Sequence, residues 1–192
     1  MKLPIVKYGN PVLRAKGRRI GKVDERIRGL AADMIETMHA ANGVGLAAQQ
    51  VGEALQLTVL DISEVEERPS TLAINGREVD PRASMPLVLL NPELTLDGET
   101  VTGTEGCLSF PEINGEIDRA HAVELKAETL DGEAIEIEAT GLLARALQHE
   151  VDHLNGILFI DRMSAVAKAS LASRLKRLKK ESQRGESDYI AL

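Results

Sequence analysis

The chain has 192 residues, 43% hydrophobic and 28% charged, enough for one ordinary domain with a sizeable core. An aromatic content of 2% with no Trp counts against a stacking platform for single-stranded nucleic acid, and the net charge is −7. The lone Cys107 excludes an intramolecular disulfide. No stretch reaches the length of a membrane span, and the first apolar run is too short for a signal peptide, so a cytoplasmic location is expected.

Residues 1–22 are punctuated by Pro4, Gly9, Pro11, Gly17 and Gly21 and predict irregular structure. Over 24–40, Ile27, Leu30, Ala31, Met34, Ile35 and Met38 recur at three and four, which predicts an amphipathic helix. Asp24 is its candidate N-cap and Asn42-Gly43 its candidate terminator. The run Gly43-Val44-Gly45-Leu46-Ala47-Ala48-Gln49-Gln50 is small enough for backbone to approach a ligand or another strand closely. It lacks the Lys-Ser/Thr of a phosphate loop.

Residues 56–62 read as a strand and 63–85 as a polar surface excursion with a short hairpin at Asn75-Gly76. A compact apolar strand follows over 86–91, and 93–102 alternates around an Asp97-Gly98 turn. Strands over 121–130 and 133–139 are joined by Asp131-Gly132, with Ile135 and Ile137 facing the core and Glu136 and Glu138 facing water.

Residues 141–154, GLLARALQHEVDHL, read as one helix. Leu142, Leu143, Ala146, Leu147, Glu150, Val151 and Leu154 form one arc, His149 and His153 its edge, and Ala144, Arg145, Gln148 and Asp152 the other side. A C-terminal helix is expected from 164 to about 184, with Val166, Leu171, Leu175 and Leu178 as a narrow stripe. Residues 168–184 carry seven basic side chains against the single Glu181, so a basic tail sits on an acidic body. The lack of βαβ alternation predicts an α+β fold: mainly antiparallel sheets around the central helix, flanked by an N-terminal and a C-terminal helix. Residues 1–163 are the expected catalytic domain, and 164–192 a basic helix and tail that extend it.

The central helix contains His149-Glu150-Val151-Asp152-His153, an HExxH pattern. Spacing of i and i+4 stacks two imidazoles on one face within reach of one metal ion, with Glu150 flanking it as a proton acceptor. A catalytic site usually takes three protein ligands. The third candidates are Cys107, His39, His121 or a distant carboxylate. Cys107 is attractive because a thiolate is a strong soft ligand and Gly106 leaves room for close approach.

Three blocks carry a family resemblance. GVGLAAQQ at 43–50 resembles the GxGLAAxQ motif of peptide deformylases, EGCLS at 105–109 is identical to their second motif, and QHEVDHLNG at 148–156 resembles their QHExDHLxG. The likeness spans roughly residues 4–163, through YGNPVLR near the start and GILFIDR after the helix. It implies a hydrolase that removes the N-formyl group from formyl-methionyl nascent peptides and releases formate. It further implies Cys107, His149 and His153 as metal ligands, Glu150 as general acid and base, and Gln50 with the backbone N–H of Leu108 as oxyanion contacts. One Fe²⁺ ion per chain is the implied native metal, replaceable by Zn²⁺, Ni²⁺ or Co²⁺.

On this reading Gly43, Val44, Gly45 and Gly106 line the peptide's path, and Leu142, Arg145 and Ala146 wall the methionine pocket. Charge and family position suggest that Glu105 and Arg119 pair behind the Cys107 loop. The 63–85 segment is longer than in many bacterial members, and FPEINGEIDR lacks a basic residue near Asn114. The basic C-terminal helix resembles an extension that docks some deformylases on the ribosome. A zinc endopeptidase shares HExxH, but no later third ligand is apparent. A catalytically silent, ribosome-associated metal binder would have no need of Glu150 and Gln50, since neither is required to hold the ion.

Overall fold

The computed structural model describes residues 1–190. Helix α1, Glu25–Ala40, begins where the Asp24 side chain accepts from the Ile27 N–H at 3.0 Å. It ends where Asn42 adopts φ +53° and the Gly43 N–H returns to the Met38 carbonyl at 3.0 Å. Ile27, Ala31, Met34 and Met38 are buried against Leu46, Leu57, Val59 and Leu90. The 3.6-residue stripe is therefore the face that packs.

Strands β1 (Gly45–Ala47), β2 (Leu57–Leu60), β3 (Leu72–Ile74), β4 (Arg77–Val79), β5 (Leu87–Cys107), β6 (Phe110–Glu128) and β7 (Ala134–Thr140) form one sheet in the order β1-β2-β5-β6-β7-β3-β4. Every pairing in it is antiparallel. The β3–β4 hairpin turns at Asn75-Gly76, both with positive φ, as a two-residue primed turn requires. Its pairing with β7 ties residues 72–79 of the 63–85 excursion to the sheet.

Two expectations about the sheet need correction. No hairpin turn forms at Asp97-Gly98: Gly98 has φ +75° and lies in a register shift between Asp97 and Thr100, while β5 runs on to Cys107. The strand continues because β6 starts at Phe110, eleven residues before the expected 121, and pairs with it throughout. The turn that closes the hairpin is Leu108-Ser109, flanked by the pair Cys107 and Phe110.

Helix α2, Gly141–Leu154, has the expected span but no solvated face. Ala144, Arg145, Gln148 and Asp152 are all buried. Gln148 shows why: its carboxamide accepts from the Ala120 N–H at 3.0 Å and donates to the Ala120 carbonyl at 2.9 Å, bonding to β6 as a strand would. Polar residues on this side meet buried partners instead of water. On the apolar side Leu143, Leu147 and Val151 pack with Leu60, Leu89, Leu125 and Ile137.

The expected single C-terminal helix is two: α3, Ala165–Ser170, and α4, Ala172–Ile190. Leu175 is buried, and Leu171 and Leu178 pack partly, in a cluster with Leu13, Phe110, Phe159 and Met163. Val166, placed in the same stripe by periodicity, is 82% exposed, while its neighbour Ala167 is the residue of α3 that packs against that cluster. Of the expected tail to 192, the last two residues lie outside those described.

Candidate metal centre

The site forms where the tip of the β5–β6 hairpin meets the face of α2. Cys107 ends β5 just before the two-residue turn, so the tight reversal projects its thiol at the helix. His149 and His153, one turn apart, have ring centroids 4.9 Å from each other. The Cys107 Sγ and one ring nitrogen from each histidine all lie within 4.8 Å of one another, and Sγ is 3.3 Å from His153 Nε2. The other candidates for the third position lie elsewhere. His39 Nε2 bonds to Asp61 Oδ2 at 2.8 Å, and His121 is exposed on β6.

Metal–sulfur and metal–nitrogen bonds of about 2.3 and 2.0 Å place tetrahedral ligand atoms about 3.5 Å apart. One thiolate with two imidazoles is also a donor set that suits a divalent transition ion. These residues therefore fit a metal. Burial pushes the His153 imidazole well below its ordinary pKa, with the neighbouring His149 adding to the effect. For His149 burial acts the same way, but its contacts with Cys107 and Glu105 outweigh it and hold the ring well above the ordinary value.

Glu105 anchors His149 from behind: Oε2 lies 3.0 Å from Nδ1, which leaves Nε2 as the ring atom available to a metal ion. Arg119 binds the same carboxylate through two N–H groups at 2.9 and 3.0 Å, so the expected pair is present. Burial alone would raise the Glu105 pKa, but its bonds to His149 and Arg119 lower it to about 2. The network extends to Asp152, which takes Arg119 at 2.6 Å and Arg162 at 2.7 Å. Asp152 was not singled out from the sequence, where its only signal was a carboxylate beside His153 on the helix side opposite the apolar arc.

Glu150 is buried, and its Oε2 has no hydrogen-bond partner among the described residues. Desolvation raises its pKa to about 7. A Cβ on Gly45 would collide with this carboxylate, so the absence of a side chain there is what lets Glu150 approach β1. Gln50 accepts from the Ala47 N–H at 2.9 Å, which aims its amide nitrogen to 3.4 Å from Cys107 Sγ and 3.3 Å from Ser109 Oγ.

A cavity of about 500 Å³ opens over the centre. Gly43, Val44 and Gly45, at and beside the sheet's edge strand, line one wall, and Leu142, Arg145 and Ala146 line another. Gly106 and Leu108 border it beside Cys107. Arg145 is buried, with its guanidinium bonded to Glu105 at 2.9 Å and to the Ile117 and Val101 carbonyls at 2.9 and 2.5 Å. It is therefore a wall with a satisfied charge rather than a free cation.

The sequence model of the polypeptide deformylase family matches residues 2–169. The chain belongs to the polypeptide deformylase family. It is 43% identical to the peptide deformylase of Opitutus terrae over 94% of each chain. With that of Acinetobacter baumannii it shares 41% identity, over 95% of this chain and 94% of the other. The crystal structure of the Thermotoga maritima deformylase superposes with a TM-score of 0.73 at 39% identity, covering 85% of this chain and 99% of that one. Arabidopsis thaliana peptide deformylase 1B gives 0.81 at 35% identity, covering 96% and 93%. Polypeptide deformylases are metal-dependent hydrolases that remove the N-formyl group from nascent peptides, and this member shares that activity and fold.

Proposed function

We propose that Cys107, His149 and His153 hold one divalent ion, and that Glu150 moves the proton when the formyl group leaves a formyl-methionyl nascent chain. The observation that carries this reading is the three ligand atoms within 4.8 Å of one another, on the wall of a cavity where a buried carboxylate waits unpartnered. Bound there, the ion supplies Lewis acidity and lowers the pKa of a coordinated water. Fe²⁺ is the metal we assign, with Zn²⁺, Ni²⁺ and Co²⁺ as substitutes.

The protein's own groups do the rest. Glu150, kept dry and near neutral pKa, takes a proton from the attacking water and returns it to the amide nitrogen as the C–N bond breaks. Formate and a free amine result. Gln50 Nε2 and the Leu108 N–H meet the negative charge that grows on the formyl oxygen. No acceptor among the described residues takes that N–H. Gly43, Val44, Gly45 and Gly106 offer backbone to the peptide in the manner of strand addition at the β1 edge. Leu142, the Arg145 stem and Ala146 receive the methionine side chain.

Residues 1–163 carry this chemistry, and 164–192 add a basic element. Lys176, Arg177, Lys180 and Arg184 are exposed on α4, the arrangement expected of a surface that meets ribosomal RNA phosphates. No helix among the described residues is long and apolar enough to cross a membrane, and we place the protein in the cytoplasm, where nascent chains emerge.

The test is formate release from formyl-Met-Ala-Ser by anaerobic, iron-loaded protein. Glu150→Gln should lower kcat by about 10²–10⁴-fold with metal content retained. Full activity in that variant would overturn the assignment, as would undiminished metal affinity in Cys107→Ser.

A further inference from the structure

Lys7 belongs to none of the family blocks, yet its ammonium lines the cavity over the metal centre. It donates to the Leu108 carbonyl at 2.8 Å, and among the described residues no carboxylate pairs with it. An ammonium has three N–H donors, so two remain beside the bond to Leu108. Burial pulls its pKa below the usual lysine value, as expected for a charge with too little compensation.

Its placement is tightly held. The Val6 N–H donates to the Gln50 carbonyl at 2.8 Å and the Tyr8 N–H to the Ser109 carbonyl at 2.9 Å. Residues 6–8 are thus laced to both loops that carry the proposed oxyanion donors. From the other side, Ser182 Oγ on α4 donates to the Lys7 carbonyl at 3.3 Å, and Tyr8 stacks on Phe110 with ring centroids 4.8 Å apart. Lys7 therefore lines the end of the cavity at the Leu108-Ser109 turn, bonded to the residue whose N–H is the proposed oxyanion donor.

We propose that Lys7 makes this end of the cavity a binding site for a small monocarboxylate, the chemical class of the formate that the reaction leaves there. A partly buried cation with spare donors, bonded to the residue whose N–H is proposed to meet the formyl oxygen, matches a one-carbon carboxylate, whose charge the acidic chain as a whole would repel. The identity of the anion rests on the deformylase reading, but its binding does not.

The test is titration of metal-loaded protein with sodium formate and, separately, with formamide, its neutral counterpart, followed by calorimetry and by formate inhibition of turnover. Lys7→Met should weaken formate about tenfold to a hundredfold while formamide is unchanged, and Lys7→Arg should retain most of the affinity. Unchanged formate affinity in Lys7→Met would overturn the proposal and leave the metal as the sole anchor. Equal weakening of formate and formamide would also overturn it, since that marks a purely structural role. If wild type released no formate from formyl-Met-Ala-Ser yet bound formate through Lys7, the site would stand and the deformylase reading would fall.

Discussion

Glu105 and His149 are joined at 3.0 Å, and the same carboxylate also takes Arg119 and Arg145 at 2.9 Å each. One buried anion therefore orients an imidazole of the candidate metal centre and pairs with two buried guanidinium groups. Replacing it with a neutral amide should be costly twice over. Glu105→Gln is expected to destabilise the fold by about 3–5 kcal/mol, because charges are left buried without their partner. It should also weaken metal affinity about 10–100-fold, because the His149 ring loses its anchor. Denaturant unfolding and chelator competition measure the two separately, and a variant as stable and as tight as wild type would refute this role.

Gly45 and Glu150 make a second close relationship. A Cβ at Gly45 would stand 2.8 Å from Glu150 Cδ, so Gly45→Ala must push the carboxylate aside. Displacement of a catalytic group by about 1 Å can cost about a hundredfold in rate. The expected outcome is a kcat lowered by about 10–100-fold with metal content unchanged, and stability lower by about 1–3 kcal/mol from overpacking. Steady-state kinetics beside metal analysis checks it; normal kcat would show that Glu150 has room to spare.

The C-terminal stripe separates two leucine-like positions that periodicity treats alike. Leu175 is buried among Phe110, Phe159 and Leu13, whereas Val166 is 82% exposed. Leu175→Ala is expected to cost about 2–5 kcal/mol. Val166→Ala should stay within about 0.5 kcal/mol of wild type. Thermal melts of the two variants decide it, and comparable losses would mean that Val166 packs where the structure leaves it in solvent.

Arg14 and Asp161 pair between the N-terminal segment and the turn after α2. Burial would raise the Asp161 pKa, but its bonds from Arg14 and from the Leu158 N–H win and hold it below the ordinary 3.8. A carboxylate depressed in the folded state contributes stability that is complete above the unfolded value and is lost as pH falls through the folded one. The pair's contribution should therefore be intact above about pH 5 and fade below 3.8. In Asp161→Asn the loss of stability relative to wild type should shrink as pH is lowered from 6 to about 3. A gap that stays constant over that range would show that the pair's charge contributes nothing.

The chain's local chemistry determined a good deal on its own. The span of α2 followed from its periodicity, the start of α1 from Asp24, and the β3–β4 hairpin from Asn75-Gly76. HExxH carried the two imidazoles, because spacing along one helix fixes which side chains share a face. Tertiary structure alone decided the rest. It put Cys107 at a hairpin tip facing α2, buried the side of α2 opposite its apolar arc, and brought Lys7 to Leu108 across 101 positions of chain. Such contacts depend on how strands and helices dock. A polar residue looks alike in sequence whether its partner is solvent or a buried strand carbonyl, and only the packed chain tells the two apart.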